Sequence, residues 1–172
     1  MISICFTRPK SKWAVLSYLI RWVCNSEYSH VSLKYDSTWL DRSVYFEARG
    51  LNTHFTSAKD FESQESVLHE YEIVCSAEFE KKALQFCFDN TNVGYAVIDL
   101  FVLPIVILAK RLGFKKFKNF VAYGASKEIC SKLIAFLIAV VFLEDVTDDL
   151  ETVTPPDVLN FCEAWKLAKR LK

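Results

Sequence analysis

A chain of 172 residues is long enough to bury one proper core and short for two. Apolar residues make up 52% and aromatics 15%, with only four glycines and four prolines, which excludes a disordered or low-complexity protein. The 21 basic residues are balanced by 21 acidic ones, so the whole chain carries no nucleic-acid footprint, and no nucleic-acid partner is expected.

Ile2 to Thr7 is rich in β-branched and aromatic residues and predicts a first strand. From Ser11 to Cys24 the apolar positions Val15, Leu16, Leu19, Ile20 and Val23 follow helical spacing, with Ser11 as N-cap and Asn25-Ser26-Glu27 as the break. Tyr28 to Tyr35 alternates: Val31, Leu33 and Tyr35 share one face, and Tyr28, His30, Ser32 and Lys34 the other. Ser43 to Ala48 alternates as well, placing Val44, Phe46 and Ala48 opposite Tyr45 and Glu47. A polar loop is expected next, then a strand over Glu70 to Cys75 and a helix over Ala77 to Phe88.

After a turn at Asn90 to Gly94, the chain becomes strongly apolar. Val93 to Ala109 contains Asp99 as its one charge and Pro104 toward its end, and Lys110 to Lys118 is basic throughout its charged positions. A membrane-spanning helix needs about 20 predominantly apolar residues. Val93 to Ala109 falls short of that, so a buried or surface-docked helix kinked at the proline is expected. Glu128 to Phe142 predicts an apolar helix facing the core nearly all round. An acidic loop follows over Glu144 to Glu151. Thr154-Pro155-Pro156-Asp157 then starts a closing helix that is expected to run to Arg170. No repeat and no linker interrupts the pattern, which predicts one α+β domain over 1–172 with an apolar and basic insertion at about 93–120.

The six cysteines lie at wide, irregular spacings, mostly in apolar strings, and no C-x-x-C pair occurs. That pattern disfavours a zinc site and points to reduced thiols. The N-terminus lacks a secretory signal pattern, so a cytoplasmic location is expected.

Three positions carry chemistry. His30 projects from the polar face of its strand, Glu47 from the same kind of face on the following strand, and Cys130 stands in the first turn of an apolar helix. If the two strands pair as antiparallel neighbours, His30 and Glu47 lie opposite each other. A thiol with a pKa of about 8.5 is scarcely ionised at neutral pH; an imidazolium and a helix N-terminus both stabilise the thiolate. Histidine then moves the proton, and a carboxylate on its other nitrogen fixes the tautomer. The backbone N–H of Cys130 is a further expected donor, to the oxyanion. His54 and His69 sit in polar, loop-like surroundings and are read as surface residues.

These residues and their order resemble a known family. Leu19-Ile20-Arg21-Trp22 followed by Ser26-Glu27-Tyr28-Ser29-His30-Val31-Ser32-Leu33 is similar to the helix, turn and histidine strand of the circularly permuted branch of the NlpC-like papain-fold superfamily. The lecithin:retinol acyltransferase relatives belong to the same branch. Glu47 with Gly50 resembles that branch's short polar strand and turn. Gly94-Tyr95 with Asp99 resembles its Gly-x-Tyr-Asp region, here with a wider gap, and Cys130-Ser131-Lys132-Leu133 resembles its Cys-Ser-x-Leu helix start. Thr154-Pro155-Pro156-Asp157-Val158-Leu159 is similar to the segment that closes the domain.

The resemblance implies a permuted papain-like fold, with an antiparallel sheet packed against helices that include the cysteine helix. It implies Cys130 as nucleophile, His30 as base and Glu47 as orienting group, with Tyr28 and Tyr95 contacting substrate and no metal or cofactor. Expected chemistry is cleavage of an amide or peptide bond through a thioester, on a cell-wall peptide or isopeptide-like bond, as in compact bacterial and phage enzymes. A second reading keeps the triad but acts on lipid acyl groups, with 93–118 contacting a membrane surface. A third makes the chain a non-catalytic papain-fold binding module.

Overall fold

The computed structural model describes residues 1–11, 14–38, 41–49, 52–94, 130–144, 146 and 153–172. Six strands form one sheet: β1 (Ile2–Pro9), β2 (His30–Ser37), β3 (Arg42–Arg49), β4 (Asn52–Ser57), β5 (Glu65–Ile73) and β6 (Ala168–Arg170). Their spatial order is β4-β3-β2-β1-β5-β6, and every neighbouring pair is antiparallel. The helices are α1 (Val15–Cys24), α2 (Ala58–Gln64), α3 (Ala77–Asp89), α4 (Cys130–Leu137) and α5 (Pro155–Ala164); α4 continues as a π-helical turn over Ile138–Phe142. The expected α+β class, with an antiparallel sheet packed against helices, is thus observed.

Alternation along the strands divides the sheet into two unlike faces. Ile2, Ile4 and Phe6 of β1, Val31 and Leu33 of β2, and Phe46 and Ala48 of β3 pack with Leu133, Ile134, Leu137 and Ile138 in one continuous core. Each such large side chain, fully buried, contributes on the order of 1.5–3 kcal/mol from the removal of apolar surface from water. Ser3, Cys5, Thr7, Ser32, Tyr45 and Glu47 fall on the alternate positions. They are buried too, partly beneath Phe61 of α2, which stacks on Tyr45 with ring centroids 3.8 Å apart. These polar residues are therefore enclosed rather than solvated: Thr7, Tyr45 and Glu47 find hydrogen-bond partners, while the Ser3 and Ser32 hydroxyls have none among the described residues.

Several boundaries differ from the sequence expectation. The segment read as a polar loop contains β4, α2 and the first half of β5. β4 has few apolar residues, and its pairing with β3, Phe46 opposite Phe55 and Glu47 opposite His54, supplies what its composition does not. α2 starts where the Ser57 hydroxyl accepts the Asp60 N–H at 3.2 Å, a local cap on too short a run to show periodicity. Consequently His54 and His69 are strand residues, not loop residues.

α1 begins at Val15 with Ala14 as its N-cap residue, not Ser11, and ends as expected at Asn25, whose φ of 51° is the left-handed conformation that asparagine tolerates. α4 and its π turn are less uniformly buried than expected: Phe136 is 40% and Val140 51% exposed. The closing helix stops at Ala164. The chain then turns into β6, whose Arg170 pairs with Tyr71 on the edge of the sheet. At the start of α5 the Asp157 carboxylate accepts from both the N–H and the hydroxyl of Thr154, at 2.8 and 2.6 Å. Gly50, Tyr95, Asp99, the apolar segment beyond Gly94, the basic run and most of the acidic loop lie outside the described residues. No helix among the described residues is long and apolar enough to cross a membrane.

Candidate active site

β2 opens at His30, at the end of the sheet where Thr7 is its cross-strand partner. The β2–β3 ladder pairs Leu33 with Phe46, so one further step brings Glu47 level with Ser32. His30 stands two positions beyond that, on the same face. The two side chains therefore meet diagonally rather than directly opposite, a reach that long side chains cover. His30 Nε2–H donates to Glu47 Oε2 at 3.0 Å. The other carboxylate oxygen accepts from Thr56 Oγ1 at 2.8 Å, reaching across from β4. His54 Nε2 is 3.8 Å from that same oxygen, so one of the histidines read as a bystander lies within ion-pair distance of the carboxylate.

Cys130 is the first described residue of α4 and is 3% exposed, buried against the apolar face of the sheet. It hydrogen-bonds to the His30 imidazole. Because Nε2 is held by Glu47, the nitrogen left for the thiol is Nδ1. The strand-end position of His30 makes this possible: its ring is reached from the apolar layer by Cys130 and from the enclosed polar face by Glu47. Backbone N–H groups of Val31 and Ser131 also point at the sulfur.

The electrostatics follow from this chain of contacts. Burial works against charge on all three groups, and in each case the partners outweigh it. Burial disfavours the imidazolium, yet hydrogen bonds to Cys130 and Glu47 push the His30 pKa up to about 10. Burial disfavours the Cys130 thiolate, yet His30 and the two backbone donors bring its pKa below the ordinary thiol value. Glu47, 1% exposed, is held below the usual carboxylate range by His30, Thr56 and the charge of Arg49, against its own desolvation. These contacts all act in favour of a thiolate–imidazolium pair backed by an ionised carboxylate.

Cys130, His30 and Glu47 are thus brought together from distant parts of the chain. Tyr28 is not brought to them. It is 6% exposed, with its ring edge-on to Phe6 and His69 at 5.3 and 5.7 Å, where it serves as a core residue. The other expected substrate contact, Tyr95, lies outside the described residues. Residues that the sequence reading does not single out are Thr56, Arg49, Glu65 and Thr7, while His54 is read there as a surface residue. Thr56 and His54 share the alternation phase of Glu47's neighbours on β4, but only the strand pairing reveals it.

A cleft of about 220 Å³ beside His30 is lined by Leu16 and Ile20 of α1 and by Ser29, Ala48, Arg49 and Glu65. None of the six cysteines is in a disulfide, and among the described residues no group of three His, Cys, Asp or Glu side chains is placed to hold a metal ion.

No protein-family model matches the sequence, and no curated protein matches it. Among solved structures, the chain is similar to the metalloprotein yiiX from Escherichia coli O157:H7, of DUF1105, with a TM-score of 0.65 and 13% identity. The likeness covers 99% of this chain and 94% of that one, and at such identity it concerns the fold alone.

Proposed function

We propose that the protein is a cysteine hydrolase of permuted papain-like fold that cleaves an amide or peptide bond through a thioester on Cys130. The observation that carries this reading is the continuous Cys130–His30–Glu47 relay, with each imidazole nitrogen committed to a different partner. In the proposed reaction the Cys130 sulfur attacks the carbonyl carbon. As the tetrahedral intermediate collapses, the C–N bond breaks and His30 Nδ1–H gives its proton to the leaving amine. A water then yields its proton to Nδ1 and its oxygen to the acyl carbon. The thiolate departs and the ion pair is restored. Glu47 keeps its negative charge throughout, holding the ring in one tautomer and stabilising the imidazolium.

The metal named for the E. coli neighbour is not carried over. Both nitrogens of His30 are occupied, and the described residues around Cys130 offer no third ligand.

A second reading keeps the relay and makes the substrate a lipid acyl group; the apolar wall of Leu16 and Ile20 beside His30 favours it. One experiment addresses both. The protein is incubated with a panel of peptide anilides, amides and acyl thioesters, and the Cys130 peptide is weighed by mass spectrometry. The proposal expects an acyl adduct on Cys130 and turnover that disappears in Cys130→Ala, the amide and thioester arms deciding the substrate class. Turnover that survives Cys130→Ala, or no adduct with any probe, sinks the hydrolase reading in favour of a binding module.

A further inference from the structure

Arg49 ends β3 two residues past Glu47 and so lies on the same face, in the lining of the cleft beside His30. Its side chain is 34% exposed, and its Nη2 lies 3.4 Å from Glu65 Oε1. Glu65 is 4% exposed, and its other oxygen accepts from Thr7 Oγ1 at 3.0 Å. Both oxygens of this buried carboxylate are therefore spoken for, and a cationic ligand would have to displace Arg49 to reach it. The guanidinium is differently placed. It has five N–H donors, and among the described residues Glu65 is the carboxylate it pairs with, through one nitrogen, so the side chain is held at the cleft lining with donors to spare. A planar fork of this kind is matched by the two oxygens of a carboxylate, and partial burial strengthens the charge-assisted bonds.

We propose that Arg49 is a specificity-determining residue that selects substrates bearing a carboxylate close to the scissile bond. This inference rests on the cysteine-hydrolase reading and deepens it. The substrate class becomes an acidic peptide or an acyl amino acid with a free carboxylate near the bond cleaved. Apolar Leu16 and Ile20 contact the remainder of the group that enters the cleft. Glu65 and Thr7 act through Arg49, by holding it.

The test compares two thiol reagents of the same shape, N-iodoacetylglycine and N-iodoacetylglycinamide, with the rate at Cys130 read peptide by peptide and normalised to a free small thiol. The ratio of acid to amide rates isolates recognition of the carboxylate from any change in Cys130 itself, which matters because Arg49 also acts on Glu47. Wild type is expected to favour the acid. The ratio should fall about tenfold in Arg49→Gln, equivalent to the loss of one charge-assisted contact, and less in Arg49→Lys. Arg49→Gln combined with Glu65→Gln removes the unpaired buried carboxylate and should show the same fall in a well-folded protein. An equal ratio in wild type and both variants, with Cys130 still labelled rapidly, overturns the specificity role and leaves the hydrolase reading standing. Slow labelling of Cys130 by both reagents in wild type overturns the two together.

Discussion

Two buried thiols in this fold have opposite chemistry. Cys130 is 3% exposed and Cys5 is fully buried, so desolvation penalises the thiolate at both. Beside Cys130 stands the His30 imidazole, which becomes a cation and brings the thiol pKa down. Around Cys5 the charges are mainly carboxylates: Glu70, Asp36 and Glu62 add to the burial, and Lys34 opposes them without prevailing. The Cys5 thiol is pushed well above its ordinary value, as those of Cys87 and Cys162 are pushed to about 12 by burial. Burial alone pushes a thiol pKa up in this protein. The sign of the neighbouring charge brings one down.

The largest break in that contrast is expected from His30→Ala. Iodoacetamide labelling of Cys130 at pH 6 should fall by about 10²-fold, toward the rate of Cys5, because the thiolate fraction collapses without the imidazolium. Labelling that stays fast would show that the helix and backbone donors suffice without His30. Wild-type labelling should also extend far below pH 8.5, and its profile should change again near pH 10, where His30 gives up its proton.

Glu47→Gln comes next, with an expected loss of roughly 10- to 100-fold in turnover as the imidazolium loses its counter-charge and the ring its fixed tautomer. The same variant tests linkage. The folded-state pKa of Glu47 is depressed, so its contribution to stability is present above about pH 4.3 and is lost as pH falls through the folded value. The His30 pKa is raised, so its contribution is complete below about pH 6.5 and fades as pH climbs toward 10. Cys130, whose folded pKa is lowered, contributes in the opposite sense, fully above about pH 8.5 and less as pH falls, so its slope opposes that of His30 between about pH 6.5 and 8.5. Scans of Tm against pH should show stability falling below about pH 4.3 and again above about pH 8.5, and Glu47→Gln should flatten the acid limb.

Thr56→Val removes one hydrogen bond to Glu47, a change of about 1 kcal/mol, and turnover should drop by less than about tenfold. The smallest effect on activity is expected from Cys5→Ala. It should leave the rate at Cys130 unchanged and lower stability by on the order of 1 kcal/mol through loss of buried packing, as read from urea midpoints. Slower labelling of Cys130 in that variant would mean that the two thiols are not independent.

Much of the site was legible in the sequence because it obeys local rules. The alternation of Val31, Leu33, Phe46 and Ala48 assigns faces, and with them the phase of His30 and Glu47; the position of Cys130 at the head of an apolar run marks a helix packed on a sheet. These depend on side-chain periods of two and about 3.6, which short stretches of chain display by themselves. What tertiary structure alone decided is the meeting of those parts. The hydrogen bond from His30 to Cys130, the diagonal rather than direct approach of Glu47, and the support of Thr56 all require strand registers that no local pattern specifies. β4 and β6 are strands because neighbouring strands offer hydrogen-bond partners to their backbones; their own composition is too polar to say so. The same reason hides the held Arg49 and its cleft. A buried carboxylate, a threonine and a guanidinium from three strands carry no shared signal along the chain, and they become one feature only when the sheet end gathers them beside His30.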